Sequence, residues 1–127
     1  MASPPSPPDD GRRRAQRYGR AAEALAAIVL RLKGYTLLAR DLRTPVGEID
    51  LIARHRGILV FVEVKARRQA SEEVLTVRQR RRIVRAAELF VARRPELAGL
   101  GVRFDVMLVG RWRWPRHVVA AFRADDG

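Results

Sequence analysis

The stretch GEIDLIARHRGILVFVEVKARR, residues 47–68, decides how the chain is read. Its apolar residues fall in two runs around the turn HRG, the pattern of a β-hairpin. The same stretch carries Glu48, Asp50, Glu63 and Lys65. Ionised groups are costly within an apolar sheet unless something pairs with them. Side chains two apart on a strand share a face, so Glu48 goes with Asp50, and Glu63 with Lys65. A turn centred between Arg56 and Gly57 sets Asp50 opposite Glu63 and Glu48 opposite Lys65, with opposed Cβ atoms about 5 Å apart. Two carboxylates at that separation repel each other unless a cation or a shared proton lies between them. Such a pair suits a hard divalent cation such as Mg²⁺, which takes a few carboxylates and keeps several waters. That ion polarises a phosphoryl oxygen and acidifies a bound water, and a lysine on the same face could hold the attacking water. The plain alternative is an exposed hairpin face with Glu48 and Lys65 as a cross-strand ion pair. It leaves Asp50 facing Glu63.

Outward from the hairpin, the chain reads as one small domain. Helical periodicity from about Ala15 to Lys33 places Leu25, Ile28, Val29 and Leu32 on one face, with Gly34 as the stop. Residues 35–40 read as a strand and 41–46 as a loop around Pro45. The hairpin strands are Glu48–Ala53 and Ile58–Lys65, followed by a polar connection over 66–75. Thr76 with Gln79 forms a capping-box pattern, opening a helix that runs to about Arg94 and stops at Pro95. Strands follow at Val102–Val109 and His117–Phe122, joined by the turn RWRWPR. The order αβββαββ predicts an α/β fold, a mixed sheet with helices packed on it.

Composition narrows the class. At 127 residues and a formal charge of +12, the chain points to a polyanionic partner. It contains no cysteine, which excludes disulfides and thiolate metal sites and fits a reducing, cytoplasmic compartment. Residues 1–14, MASPPSPPDDGRRR, read as a disordered Pro- and Arg-rich tail without the apolar core of a signal peptide, so the domain spans 15–123. No run is long enough to span a membrane, and no membrane partner is expected. Of 26 basic residues only Lys33 and Lys65 are lysines. Lys33 precedes Gly34 at a helix C-terminus, where any cation is favourable. Lys65 beside two acids has no such explanation, and suggests a need for a compact ammonium.

The hairpin residues carry a resemblance. Asp50, a hairpin, then Glu63-Val64-Lys65 resembles the D…ExK core of the PD-(D/E)XK nuclease superfamily, which includes archaeal Holliday junction resolvases and many restriction endonucleases. YGRAAEALAAIVLRLKGY, GEIDLIA, VFVEVKAR and RQRRRIVRAA together resemble the YraN family of small bacterial proteins, over about residues 16–122. The resemblance implies a restriction endonuclease-like three-layer core and a metal-dependent nuclease acting on DNA, branched or junction DNA included. It implies Mg²⁺ or Mn²⁺ held by Asp50, Glu63 and the backbone carbonyl of Val64, with Lys65 as the catalytic lysine. It further implies acidic support from Glu23 on the first helix and polar support from Gln79. Two positions depart from the pattern: Ile49 stands where the nominal motif has proline, and Arg78 where the family has lysine.

Other residues keep two readings each. Glu23 could equally pair with Arg20 three residues earlier. Arg78, Arg81, Arg82 and Arg85 line one face of the second helix, opposite Ile83, Ala86, Ala87 and Phe90; they read as phosphate contacts or as a solvated face. Trp112 and Trp114 read as a small hydrophobic cover or a dimer contact before they read as base-stacking residues. His55 and His117 receive no role, and Arg43 and Asp105 read as makers of ion pairs or fold-stabilising hydrogen bonds. Beside the nuclease stands a rival, a binding module of the same fold that holds nucleic acid or a partner protein without cutting. RNA and a homodimer are left open.

Overall fold

The computed structural model describes residues 10–66, 75–110 and 114–125. The elements are α1 (Asp10–Leu32), β1 (Thr36–Thr44), β2 (Gly47–His55), β3 (Ile58–Ala66), α2 (Val77–Ala92), a 3₁₀ turn (Pro95–Leu97), β4 (Gly101–Val109) and β5 (Arg116–Phe122). The order αβββαββ is the expected one. The five strands lie side by side in chain order, antiparallel except for β3 and β4, which run parallel with α2 as their crossover. One core cluster joins the sheet to α2 through Ile52, Phe61, Ile83, Phe90 and Phe104. A second joins the opposite face to α1 through Ala26, Leu30, Leu51, Val62 and Met107. The fold is therefore α/β in three layers, consistent with a restriction endonuclease-like core.

Local chemistry explains the elements, with some corrections. The hairpin turns on Arg56 and Gly57, both at positive φ (50° and 76°), as a two-residue turn between twisted strands requires. The capping box is present: Thr76 accepts from the Gln79 amide, and the Gln79 side chain accepts from the Thr76 amide. α1 ends as the periodicity predicts, with Gly34 at φ 90° and the Gly34 and Tyr35 amides closing on Arg31 and Leu30. Its buried face, however, is Ala22, Ala26, Ala27, Val29 and Leu30, while Ile28 and Leu32 are exposed. Alanines bring a helix closer to a sheet than larger side chains do, so packing distance outweighs hydrophobicity in choosing the face. Residues 41–44 continue β1 instead of forming a loop; the turn is confined to Pro45 and Val46.

The expected tail lies outside the described residues over 1–9, and residues 10–14 are the first turns of α1 instead. Arg12, Arg13 and Arg14, three of these five residues, are good helix formers. The polar connection lies outside the described residues over 67–74, as does 111–113 with Trp112. Trp114 is 69% exposed, so it is not a hydrophobic cover. Among the described residues no helix is long and apolar enough to cross a membrane.

Candidate functional site

Asp50 sits where the sheet loses its regularity. The β1–β2 register runs from Thr44 opposite Gly47 to Arg40 opposite Leu51, but skips the point where Asp41 would meet Asp50. Asp41 there takes a left-handed φ of 49°. On the other side, the β2–β3 ladder runs from His55 opposite Ile58 to Leu51 opposite Val62 and ends one residue short of Asp50. Ile49 and Ile52 both pack on the α2 layer, whereas Leu51 and Ala53 pack on the α1 layer. Strict alternation cannot produce that pattern; the pleat is interrupted at Asp50, although the β1–β2 register is the same on either side of it. Released from the ladder, the Asp50 carboxylate accepts the Val64 amide at 2.8 Å. The expected hairpin register thus holds up to the acids, and Asp50 and Glu63 then meet through a side-chain hydrogen bond.

The acids are close enough to control one another's protonation. Burial, and then the charge of Asp50, push the Glu63 carboxyl up to about 8, against the opposing pull of Lys65. Asp50 is raised too, chiefly by burial; the Val64 amide, the hydrogen bond with Glu63 and Lys65 each act against that rise. Both carboxyls are raised together, so the pair holds a proton between them that separate carboxylates would release. Lys65 points its ammonium to Glu63 at 3.8 Å, not across to Glu48. That excludes the simple cross-strand pair with Glu48.

Glu23 arrives from α1. Its carboxyl is raised to about 7, first by burial and then by Asp50 and Asp41, with Arg40 opposing. The residue as a whole is half-exposed, yet its Oε1 is sealed from water without a hydrogen-bond partner. Such an orphaned acceptor is costly and is uncommon in native structures. Glu23 therefore turns to Asp50, not to Arg20. Among the described residues, no three or more His, Cys, Asp or Glu side chains are gathered as a ready metal cage. The site offers two hydrogen-bonded carboxyls, a third acid beside them and one ammonium.

Beside Glu63 opens a cleft of about 510 Å³, walled by the β1–β2 turn (Thr44, Gly47, Glu48) and the start of α2 (Gln79, Arg82). Gly47 makes this wall possible. A Cβ there would lie 2.6 Å from the backbone oxygen of Arg82, so only glycine lets the turn approach α2 this closely. Gln79 lines the cleft while its carbonyl oxygen caps the Thr76 amide. Arg78, Arg81, Arg82 and Arg85 are all exposed, and Arg82 reaches the cleft wall. Val64, through its amide, is the backbone link to Asp50, while its side chain packs toward α1.

The structure also assembles a network that the sequence reading leaves apart. Asp105 is fully buried. Both its oxygens bond Arg103 at 2.8 Å; His117 Nε2 lies 2.7 Å away and the Ala120 amide 2.9 Å away. Burial alone would raise this carboxyl, but the bonds from His117, Arg103 and Ala120 outweigh it and hold it near 2. Arg103 also reaches the Tyr35 hydroxyl, and Tyr35 stacks on His55 with ring centres 4.1 Å apart. Lys33 Nζ lies 3.0 Å from His117 Nδ1. Arg43 takes no part, lying 3.4 Å from Asp41. Arg103 and Asp105, two apart on β4, were a readable same-face pair. His117 was not, because β5 slips against β4 opposite Asp105.

Comparison with known proteins adds the family. The profile of UPF0102, described as an uncharacterised protein family, matches residues 22–109. Similar proteins include UPF0102 protein amb4503 of Paramagnetospirillum magneticum, 52% identical over 126 residues, covering 94% of this chain and 98% of that one. A UPF0102 protein of Azorhizobium caulinodans is 51% identical over 130 residues, covering 98% and 99%. One of Parvibaculum lavamentivorans is 51% identical over 111 residues, covering 86% and 84%.

Proposed function

The chain belongs to the UPF0102 (YraN) family, and from the acids of its β2–β3 hairpin we propose that it is a metal-dependent nuclease that hydrolyses phosphodiester bonds of DNA. The observation that carries this reading is the convergence of Asp50, Glu63 and Lys65 at the end of the hairpin ladder, with Glu23 beside them. Glu63, raised to about 8 by burial and by the Asp50 charge and hydrogen-bonded to that second carboxyl, is placed where a cation would relieve the pair. Hard oxygen donors of this kind fit Mg²⁺ or Mn²⁺. Asp50, Glu63 and the Val64 carbonyl would hold the ion. When bound, it would polarise a phosphoryl oxygen and acidify a coordinated water.

The remaining work falls to this chain's own side chains. Lys65, near Glu63, orients the attacking water and offsets charge gathering on the phosphorus oxygens. Asp50 is fixed by the Val64 amide, so its carboxylate is presented in one direction. Glu23 accepts a proton or a water-mediated bond on the helix side. Arg82 and Gln79 on the cleft wall, with Arg78, Arg81 and Arg85 along the same helix, hold phosphates of the strand. DNA is the partner this surface fits, at a reducing, cytoplasmic location.

The test is cleavage of duplex, single-stranded, flap and four-way DNA with Mg²⁺ or Mn²⁺, for wild type, Glu63→Gln and Asp50→Asn. Cleavage by wild type that collapses in both variants, while gel-shift affinity survives, supports the reading. Equal residual cleavage in the variants would sink it. Tight binding with no cleavage by wild type would assign a binding module instead.

A further inference from the structure

Away from the carboxylate cluster, the network at the end of α1 contains the chain's other lysine, and its hydrogen bonds have a fixed direction. Asp105 is ionised and accepts only, so His117 must donate to it from Nε2–H. That leaves Nδ1 as a lone pair. Lysine has donors and no acceptor, so the 3.0 Å contact runs from Lys33 Nζ to His117 Nδ1. The imidazole cannot turn, because its side chain is 1% exposed and its edge lies against the Tyr35 ring, 5.7 Å between centres. Arg103 and the Ala120 amide saturate Asp105 from the other sides. Lys33 itself is exposed.

A nucleophile within hydrogen-bond reach of a base, with the base oriented by a third group, is the general arrangement of an activated nucleophile. We propose that Lys33 is an acylation site, its amine made nucleophilic by His117 with Asp105 orienting the imidazole, and that its co-substrate is an acyl thioester. The base takes one proton of the Lys33 ammonium onto Nδ1, and the resulting imidazolium is stabilised by Asp105. The freed nitrogen lone pair forms a bond to the thioester carbonyl carbon. The carbon–sulfur bond breaks, and its electron pair leaves on sulfur, which takes a second proton from the nitrogen as the thiol. The third proton stays on the new amide, and the imidazolium returns its proton to water. No oxidant or further reactant is needed.

A purely structural hydrogen bond makes the opposite prediction, which gives the test its direction. Holding an ammonium against an acceptor protects it, so Lys33 would then react more slowly in the folded protein than in the unfolded chain. The experiment incubates the full-length protein with acetyl-coenzyme A, natively and in concentrated urea, and follows acetylation of Lys33 and Lys65 by peptide mass spectrometry. The expected result is native Lys33 reacting about 100-fold faster than Lys33 in urea, the usual scale of a positioned base. Lys65 should show no such gain. His117→Gln, which keeps a polar side chain without a base, should remove most of that factor. Native labelling of Lys33 at or below its rate in urea overturns the proposal, and so does an unchanged rate in a folded His117→Gln protein. Should that variant not fold, the native-to-urea ratio of wild type decides alone.

Discussion

The raised carboxyl of Glu63 makes the carboxylate site measurable without any substrate. The unfolded chain releases the proton of this carboxyl at the ordinary glutamate value of 4.5, and the folded chain only near 8. Between those limits the native state binds more protons, so stability falls as pH rises. The stabilisation is complete below about pH 4.5 and gone above about pH 8. At about 1.4 kcal/mol per pH unit the loss is at most roughly 5 kcal/mol. Urea denaturation of metal-free protein from pH 5 to 8.5 measures it. Glu63→Gln keeps the shape and the hydrogen bond but cannot ionise, so it should be more stable than wild type at pH 8 and should flatten most of the slope. A remaining, gentler fall belongs to Glu23, raised to about 7. Mn²⁺ at one hundred times its dissociation constant should restore about 2.7 kcal/mol to wild type at pH 8. It should do little for Asp50→Asn. Parallel pH curves for wild type and Glu63→Gln would refute the shared proton, and with it the electrostatic case for a cation.

Gly47→Ala should cost about 1–3 kcal/mol in a thermal melt, because a methyl 2.6 Å from the Arg82 carbonyl must push the β1–β2 turn off α2. If that variant melts with wild type, the turn does not form the cleft wall. Asp105→Asn should cost about 3–5 kcal/mol, since it leaves Arg103 without its buried partner. The carboxyl lies near 2 in the fold and 3.8 outside it, so its stabilisation is present above about pH 4 and lost as pH falls toward 2. The variant should lack that acid loss. Removing Arg78, Arg82 and Arg85 should flatten the salt dependence of DNA binding by roughly one unit of log–log slope per lost phosphate contact, read by gel shift across salt; an unchanged slope would leave these arginines as a solvated face.

What could be read from sequence depended on how local its cause was. The hairpin was legible because its turn chemistry and apolar runs sit within 22 consecutive residues, 47–68. Thr76 and Gln79 were legible for the same reason: a capping box is a contact three residues long. The α1 face was misjudged, because alanine carries little hydrophobic signal and its value lies in how near it lets the sheet approach. His117 receives no role from the sequence because its meaning depends on two partners, Asp105 and Lys33, brought to it by a slipped strand and a helix end. Residue periodicity carries no information about such a slip.

Asp50 and Asp105 show why a carboxylate on a strand is not by itself a site. Asp105 lies at a register shift and Asp50 at a gap in the strand pairing, and each accepts an amide from the neighbouring strand, Ala120 in one case and Val64 in the other. In both places an interrupted ladder frees an amide for a carboxylate. What differs is the company. Arg103 and His117 fill the remaining acceptor positions of Asp105, and its carboxyl falls to about 2. Asp50 instead meets Glu63 and Glu23, with Lys65 as the nearby cation, and burial drives the acids up. A satisfied carboxylate lowers the energy of the fold and asks for nothing further. An unsatisfied cluster raises that energy, and is accounted for when a ligand absent from the polypeptide takes the place of its proton. By that criterion the hairpin acids are the place to look for chemistry on phosphate, and the buried aspartate is the support behind a histidine.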